Sequence, residues 1–342
     1  MSHPFPIKEI ARQAGLSTAT VDRVMNQRPG VRRQTANRVM TAIRELEAQE
    51  AQLSMAGRKL MIDLLVEAPP AFLNELQEAV ARELPLIQTA IFRVRSDLRA
   101  RFPAQAMASA LDRAARLKSD GVIVMAPDTA PLRRAVDRLI SAGIPVVTLA
   151  TDMPATGRVS YVGLDNFRAG ETAAWLIRKW ARPDAPRRVL VIKRNEAFHG
   201  ETDREKGFRA AMAQQWPAAE VNVEVQGEEG PDFARRLATD LAAHPVAAIY
   251  SIGGGNRNLL AALAAADLPR PLMIGHDLDP ENRALLAQEQ LDAVLYHDLA
   301  EDIRHACQSF MSAHSRGAVP MPAQGAVLRV MLPPMLTTQG RM

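Results

Sequence analysis

Apolar positions in the first fifty residues recur at helical spacing. Ile7, Ile10, Ala11 and Ala14 share one stripe and predict a helix over 7–14. Gly15 interrupts it and Leu16 is apolar. Ser17 is an N-cap candidate for a second short helix carrying Ala19, Thr20, Val21 and Val24. Val39, Ile43 and Leu46 predict a third helix from Thr35 to about Gln52. From residue 60 the pattern changes. Short apolar runs at 60–66, 90–94, 121–126 and 145–150 alternate with helical patterns at 72–83, 103–118 and 131–142. The rhythm recurs in strand-like runs at 161–165, 188–193, 221–225, 247–252, 272–277 and 293–298, with a helix at 203–214, and 326–332 alternates like a last strand. Strand–helix alternation implies parallel sheets with right-handed crossovers. The expected fold class is therefore α/β: a three-helix N-terminal domain, then two doubly wound parallel halves.

Two short helices joined by a tight turn containing Gly form the helix-turn-helix pattern, whose second helix meets base edges in the major groove. Charge agrees. The chain of 342 residues carries net +4, yet residues 1–59 hold ten Lys/Arg against five Asp/Glu. The basic excess thus sits at the end that would meet phosphates. With 47% hydrophobic and 23% charged residues the composition is ordinary for a globular protein, and disorder is not expected. Cys307, the single cysteine, is expected in a helix, buried and inert. The opening MSHPFPIKEI lacks the apolar segment of a signal peptide, and no apolar run reaches membrane-spanning length, which together suggest a cytoplasmic protein with no membrane partner. No nucleotide fingerprint, nucleophile elbow or zinc spacing stands out, so no enzyme activity, cofactor or metal is expected.

The stretch A-x-x-A-G-L-S-x-x-T-V-x-R-V-x-N, residues 11–26, closely resembles the DNA-binding headpiece of the lactose-repressor (LacI) family. Residues 60–336 resemble the type I periplasmic sugar-binding fold that forms the core of these repressors, ribose-binding proteins in particular. The resembling stretches are SDGVIVMAP, AGIPVVTL, YVGLDNFRAGETAA, DREKGF and IGHDLDP. The resemblance implies a headpiece over 1–48, a hinge or linker over 49–59, and an effector-binding core over 60–336. Its first subdomain would span about 60–162 and 297–320, its second about 163–296 and 321–336. Ligands of such folds lie between the subdomains, at the carboxyl ends of the strands.

In LacI-like headpieces the first recognition-helix residues and the Arg of T-V-x-R read bases, which implies Thr18, Ala19 and Arg23 here. Arg23 can place a bidentate fork on guanine, worth about 1–3 kcal/mol of discrimination. Ser17, Thr20, Asn26, Arg32 and Arg33 suit phosphate contacts, which position without specifying. Asp22 would repel phosphate, so it either orients Arg23 or faces away. Relatives wedge a hinge Leu into the minor groove. Matching the Leu-Ala-Gly-basic ending puts Met55 there, with Leu53 the runner-up, and leaves the hinge about two residues short. The segment reads either as a continuation of the third helix or as a plain linker.

For the cleft, the resemblance implies Phe72 as an aromatic stacked on sugar and Arg204 as a donor to ligand hydroxyls. Asp277 ends its strand while Asp279 and Pro280 already start the next helix, which frees Asp277 for a ligand. His297 stands where ribose-type proteins carry a ligand-binding Gln, and Tyr296 is an equally close match. Ala150-Thr151, with Asp152 next, replaces an Asp-Arg pair of ribose-binding proteins. Asp165 is kept. Gly255 and Asn256 lie in a glycine run whose N–H groups can approach a ligand closely. The expected function is a sequence-specific transcriptional regulator, a repressor, whose affinity for palindromic operator DNA responds to a small effector, a sugar, polyol or sugar acid. The alternative is a sugar-binding protein without DNA activity. A homodimer is expected from operator symmetry, and a tail without heptads argues against a tetramer.

Overall fold

The computed structural model describes residues 5–55, 57–194, 196–227, 230–315 and 325–336, with the backbone alone for 48–55 and Gly230. The N-terminal domain is three helices: α1 (Ile7–Ala14), α2 (Thr18–Met25) and α3 (Arg33–Met55). α1 stops at Gly15, whose φ of 61° is left-handed, so the N–H groups of Gly15 and Leu16 turn back onto the carbonyls of Arg12 and Ala11. Ile10, Ala11, Val21, Val39, Ile43 and Leu46 close the small core. α3 starts two residues earlier and ends about three later than its apolar spacing suggests. No Gly or Pro stands between residues 31 and 56, so nothing breaks it. The backbone favours the continuous helix over a plain linker. The side chains of Leu53 and Met55 lie outside the described residues.

The remaining chain builds two sheets. Into the first go β1 (Lys59–Glu67), β2 (Ile91–Arg99), β3 (Gly121–Met125), β4 (Val146–Leu149) and β5 (Ser160–Val162), joined by helices α4 (Pro70–Glu83), α5 (Ala104–Arg116) and α6 (Ala130–Ser141). The strand order is β2-β1-β3-β4-β5, all parallel. The second takes β6 (Arg188–Lys193), β7 (Glu220–Val225), β8 (Ala248–Ser251), β9 (Leu272–His276), β10 (Ala293–Tyr296) and β11 (Arg329–Met331). Its helices are α7 (Asn166–Trp180), α8 (His199–Gln215), α9 (Gly230–Ala243), α10 (Asn256–Ala265) and α11 (Pro280–Ala287). Its order is β11-β10-β9-β8-β6-β7, with β11 alone antiparallel. The α/β class is as expected.

Boundaries moved where charge or chain direction outweighed periodicity. β2 continues through RSDLR because at the sheet edge Arg99 stays in water while Arg95 is held by the buried Asp63 of β1. β5 ends three residues early, since the chain leaves the sheet at Gly163 to start α7. α12 (Leu299–His314) returns to the first sheet after β10, and Phe310 packs flat on Gly121, where a Cβ would lie 2.5 Å from the ring. Cys307 is buried on that helix, and burial pushes its thiol up to about 12. Among the described residues, no helix is long and apolar enough to cross a membrane.

Candidate DNA-reading helix and ligand cleft

Ser17 caps α2, accepting from the Thr20 N–H at 3.2 Å, and its hydroxyl lies 2.8 Å from that of Thr20. Both hydroxyls are thus engaged by the cap itself. Asn26 donates to the Asp22 carbonyl at 3.0 Å and to its carboxylate at 2.8 Å, and Arg28 lies 3.2 Å from the same carboxylate. Of the two readings for Asp22 this favours the one that turns it away from Arg23: it braces the end of α2, and the exposed Asn26, expected at a phosphate, has its amide bonded within the helix. Thr18, Ala19 and Arg23 stand exposed on one face, and Arg32 and Arg33 are exposed before and at the start of α3. Among the described residues Arg23 has no ion-pair partner, so a guanidinium stands ready at the helix surface.

The two sheets point carboxyl ends toward each other, and two of those ends are strained. Ala150 after β4 has φ 56° and Asp277 after β9 has φ 64°, left-handed values that cost a non-glycine residue about 1–3 kcal/mol. Such strain gathers where a site needs a set geometry. Arg204 is positioned by unusually close helices. At Gly170 of α7 a Cβ would fall 2.0 Å from the Arg204 carbonyl oxygen, and at Gly207 of α8 it would fall 1.9 Å from that of Phe167. The buried Arg204 donates from Nε to Asn166 Oδ1 at 2.7 Å. Asn166 in turn donates to the Tyr161 hydroxyl at 3.0 Å, which donates to the Leu164 carbonyl at 2.8 Å. Beyond Nε the Arg204 fork has no hydrogen bond or carboxylate partner among the described residues.

Behind Arg204 the fully buried Tyr250 stacks on Phe208 at 5.0 Å and shares a 2.6 Å hydrogen bond with His276 Nε2. Burial, then the charges of Arg204 and His297, push His276 well below its usual range, so it stays neutral. Asp277 lies half-buried with no side-chain hydrogen bond among the described residues. Glu75 of α4 faces it from the other half. Burial and the nearby Asp277 and Asp279 push Glu75 up to about 7, against the pull of His297 and Arg283. His297 is buried with Nδ1 2.7 Å from Asp302 Oδ2. Thr151 is buried and accepts from the Gly200 N–H at 3.2 Å, a direct link between the halves.

Five expected cleft residues are otherwise occupied. Phe72 is buried in the first core with Leu73 and Leu76, because α4 turns that stripe onto the sheet. Asp152 is paired with Arg158 and accepts from Thr148 Oγ1 at 2.7 Å and the Met153 N–H at 2.8 Å. Burial works against that charge, but Arg158 outweighs it and holds the carboxyl below its usual range. Asp165 is the exposed N-cap of α7, accepting from the Arg168 N–H at 3.0 Å. The space beside Gly255 is filled by Gln226, whose amide an added Cβ would meet at 2.7 Å. Asn256 donates to Asn282 at 2.7 Å, and Asn282 ties down the carbonyls of His276 and Asp277 at 2.8 Å each. Arg204, Asp277 and His297 do come together, with Asn166, kept beside Asp165 in the family pattern, and with Glu75 and Asp302 added. Asp302 left a trace in the sequence, an acid inside the apolar stripe of its helix; Glu75, one of several polar residues within α4, left none.

The comparisons agree with this architecture. Residues 6–47 match the model of bacterial regulatory proteins of the lacI family, and residues 73–313 match that of the periplasmic binding protein domain. Among solved structures, a LacI transcriptional regulator from Bacteroides fragilis is 15% identical, with a TM-score of 0.71 over 81% of this chain and 98% of that one. The glucose-galactose binding protein GanP from Geobacillus stearothermophilus is 21% identical, with a TM-score of 0.70 over 81% and 99%. A Caulobacter myo-inositol binding protein, solved with myo-inositol, is 22% identical, with a TM-score of 0.67 over 80% and 93%. No curated protein sequence matches the chain. With both models matched in order on one polypeptide, the chain belongs to the lacI family of bacterial regulatory proteins, a DNA-binding headpiece carried on a periplasmic binding protein domain.

Proposed function

We propose that this regulator is a cytoplasmic repressor that binds a near-palindromic operator as a homodimer and has no enzymatic activity. Its effector is a small sugar, polyol or sugar acid held in the cleft by Arg204, Asp277 and His297, with Thr151 at the seam between the halves. One observation carries the reading: Arg204 is buried among strained strand ends with its fork unbonded, facing Asp277 and His297. A ligand whose hydroxyls both donate and accept suits that mixture. The sugar- and inositol-binding neighbours support it by fold. Thr18, Ala19 and Arg23 read bases, while Arg32 and Arg33 hold phosphates. Effector binding changes how the halves sit and so the spacing of the two headpieces, a coupling of about 1–3 kcal/mol. The alternative, a sugar-binding protein without DNA activity, is disfavoured by the matched headpiece. An electrophoretic shift with a palindromic fragment of the protein's own promoter tests the reading. A saturable shift that survives competition by unrelated DNA is expected; binding equal to that of unrelated DNA overturns it.

A further inference from the structure

Asp302 has no exposed surface. It sits among Leu299, Ile303 and Ala306 on the face of α12 that is buried. A carboxylate taken out of water this completely stays ionised only beside a positive charge. Its Oδ2 lies 2.7 Å from His297 Nδ1, yet Oδ1, Oδ2 and that Nδ1 all lack an aligned hydrogen-bond partner among the described residues. The contact is one of charge more than of hydrogen-bond alignment. It also spans the two halves, since His297 follows β10 of the second sheet and α12 packs on the first. With Nδ1 turned to Asp302, His297 is left with Nε2, which has no partner among the described residues.

The charged groups facing the ring come from four elements: Asp302 of α12, Asp277 at the end of β9, Arg204 of α8 and Glu75 of α4. The neutral His276 of β9 also lies near. Burial by itself would drive the proton off His297, but the two aspartates outweigh it and hold the imidazole above its usual range. We infer that Asp302 is a positioning residue that keeps His297 charged, with Nε2–H as a donor toward the cleft, so that the effector presents an oxygen acceptor there. A neutral ring with its proton on Nδ1 would do the reverse, because Nε2 would then accept. A carboxylate oxygen or a hydroxyl in its accepting role satisfies the charged ring; an ammonium group does not. The inference rests on the cleft being the effector site, yet its test uses no effector.

The full-length protein labelled with ¹³C at histidine Cε1 is titrated from pH 5 to 9, with His297→Gln assigning the signal. The expected result is a His297 still charged at pH 7, a signal that moves to the neutral position at pH 7 in Asp302→Asn, and one that stays charged in Asp302→Glu. A neutral His297 at pH 7 in the unaltered protein overturns the inference whatever the variants do, as does an unchanged titration in Asp302→Asn. Thermal stability gives a second reading that does not need the Asp302 variants to fold. A histidine raised in the folded state stabilises fully below its unfolded value of about 6.5 and loses that contribution as pH rises through the folded value. The melting temperature of the unaltered protein minus that of His297→Gln is therefore expected to fall between pH 6.5 and 9; a constant difference counts against the charge. Should the cleft reading fail instead, Arg204→Met leaves effector affinity unchanged while His297 still titrates high, so the two failures are told apart.

Discussion

The recognition helix and the cleft spend their polar groups in opposite ways. On α2 the reading face of Thr18, Ala19 and Arg23 is exposed, and bracing is confined to Ser17, Thr20, Asp22 and Asn26 at the two ends. In the cleft many polar groups already bond to one another, and Arg204's fork, Asp277, Glu75, Asp302 Oδ1 and one nitrogen of His297 are among those left over in the described residues. DNA is a large, hydrated, charged partner, and exposed groups suffice for it. A small effector must be enclosed, so each buried polar group needs a protein partner of its own. The cleft is therefore mostly scaffold.

The comparison breaks most severely if that scaffold moves. Gly207→Ala forces a Cβ to within 1.9 Å of the Phe167 carbonyl oxygen, a backbone atom that cannot step aside. Separation of α7 and α8 is expected to cost about 3 kcal/mol or more and to carry Arg204 out of place, which denaturant unfolding and effector titration would both register. An equivalent change on the exposed face of α2 has no such reach. Next in size, Arg204→Met and Asp277→Asn are expected to abolish the effector response, about 1–3 kcal/mol of coupling, while operator binding persists. Calorimetry with whichever ligand a thermal-shift screen of sugars, polyols and sugar acids returns checks this; unchanged affinity in either variant removes that residue from the site.

Arg23→Ala tests the other side. Specific operator binding is expected to weaken by about 1–3 kcal/mol, while salt-dependent binding to unrelated DNA stays. Sequence preference surviving the substitution would take Arg23 out of base reading.

Legibility followed the same division. The headpiece was readable because its chemistry is contiguous: cap, turn and reading face fit in sixteen residues, each placed by a local rule. The core's alternation gave the sheets, and bounds were misjudged where tertiary position decides: the edge strands β2, β5 and β11, and the start of α8, four residues before the expected 203. The cleft was half readable. Asp277 and His297 directly follow strand ends, and Arg204 was reached through its sequence motif although its helix starts at His199 rather than at 203. Asp152 and Asn256 sit at equally suitable places, but their partners Arg158 and Asn282 are six and twenty-six residues away, and no spacing reveals a side chain already spent.

Phe72 gives the smallest effect and the sharpest test of that lesson. By position it suits a ring stacked on sugar; by structure it lies on the buried face of α4, in one core cluster with Leu64, Leu73 and Leu76. Phe72→Leu separates the two roles, because Leu fills most of the same apolar space but offers no ring face. A packing residue loses roughly 1 kcal/mol of stability, within the common range for a core change, and effector affinity stays as it was. A stacking residue behaves the other way, holding the melting temperature while affinity falls, since the ring face gives more than area alone. Paired melting and calorimetry on this one variant therefore decide whether α4 contributes an aromatic wall to the cleft or only the carboxyl of Glu75. The burial of Phe72 at 6% exposure favours the second.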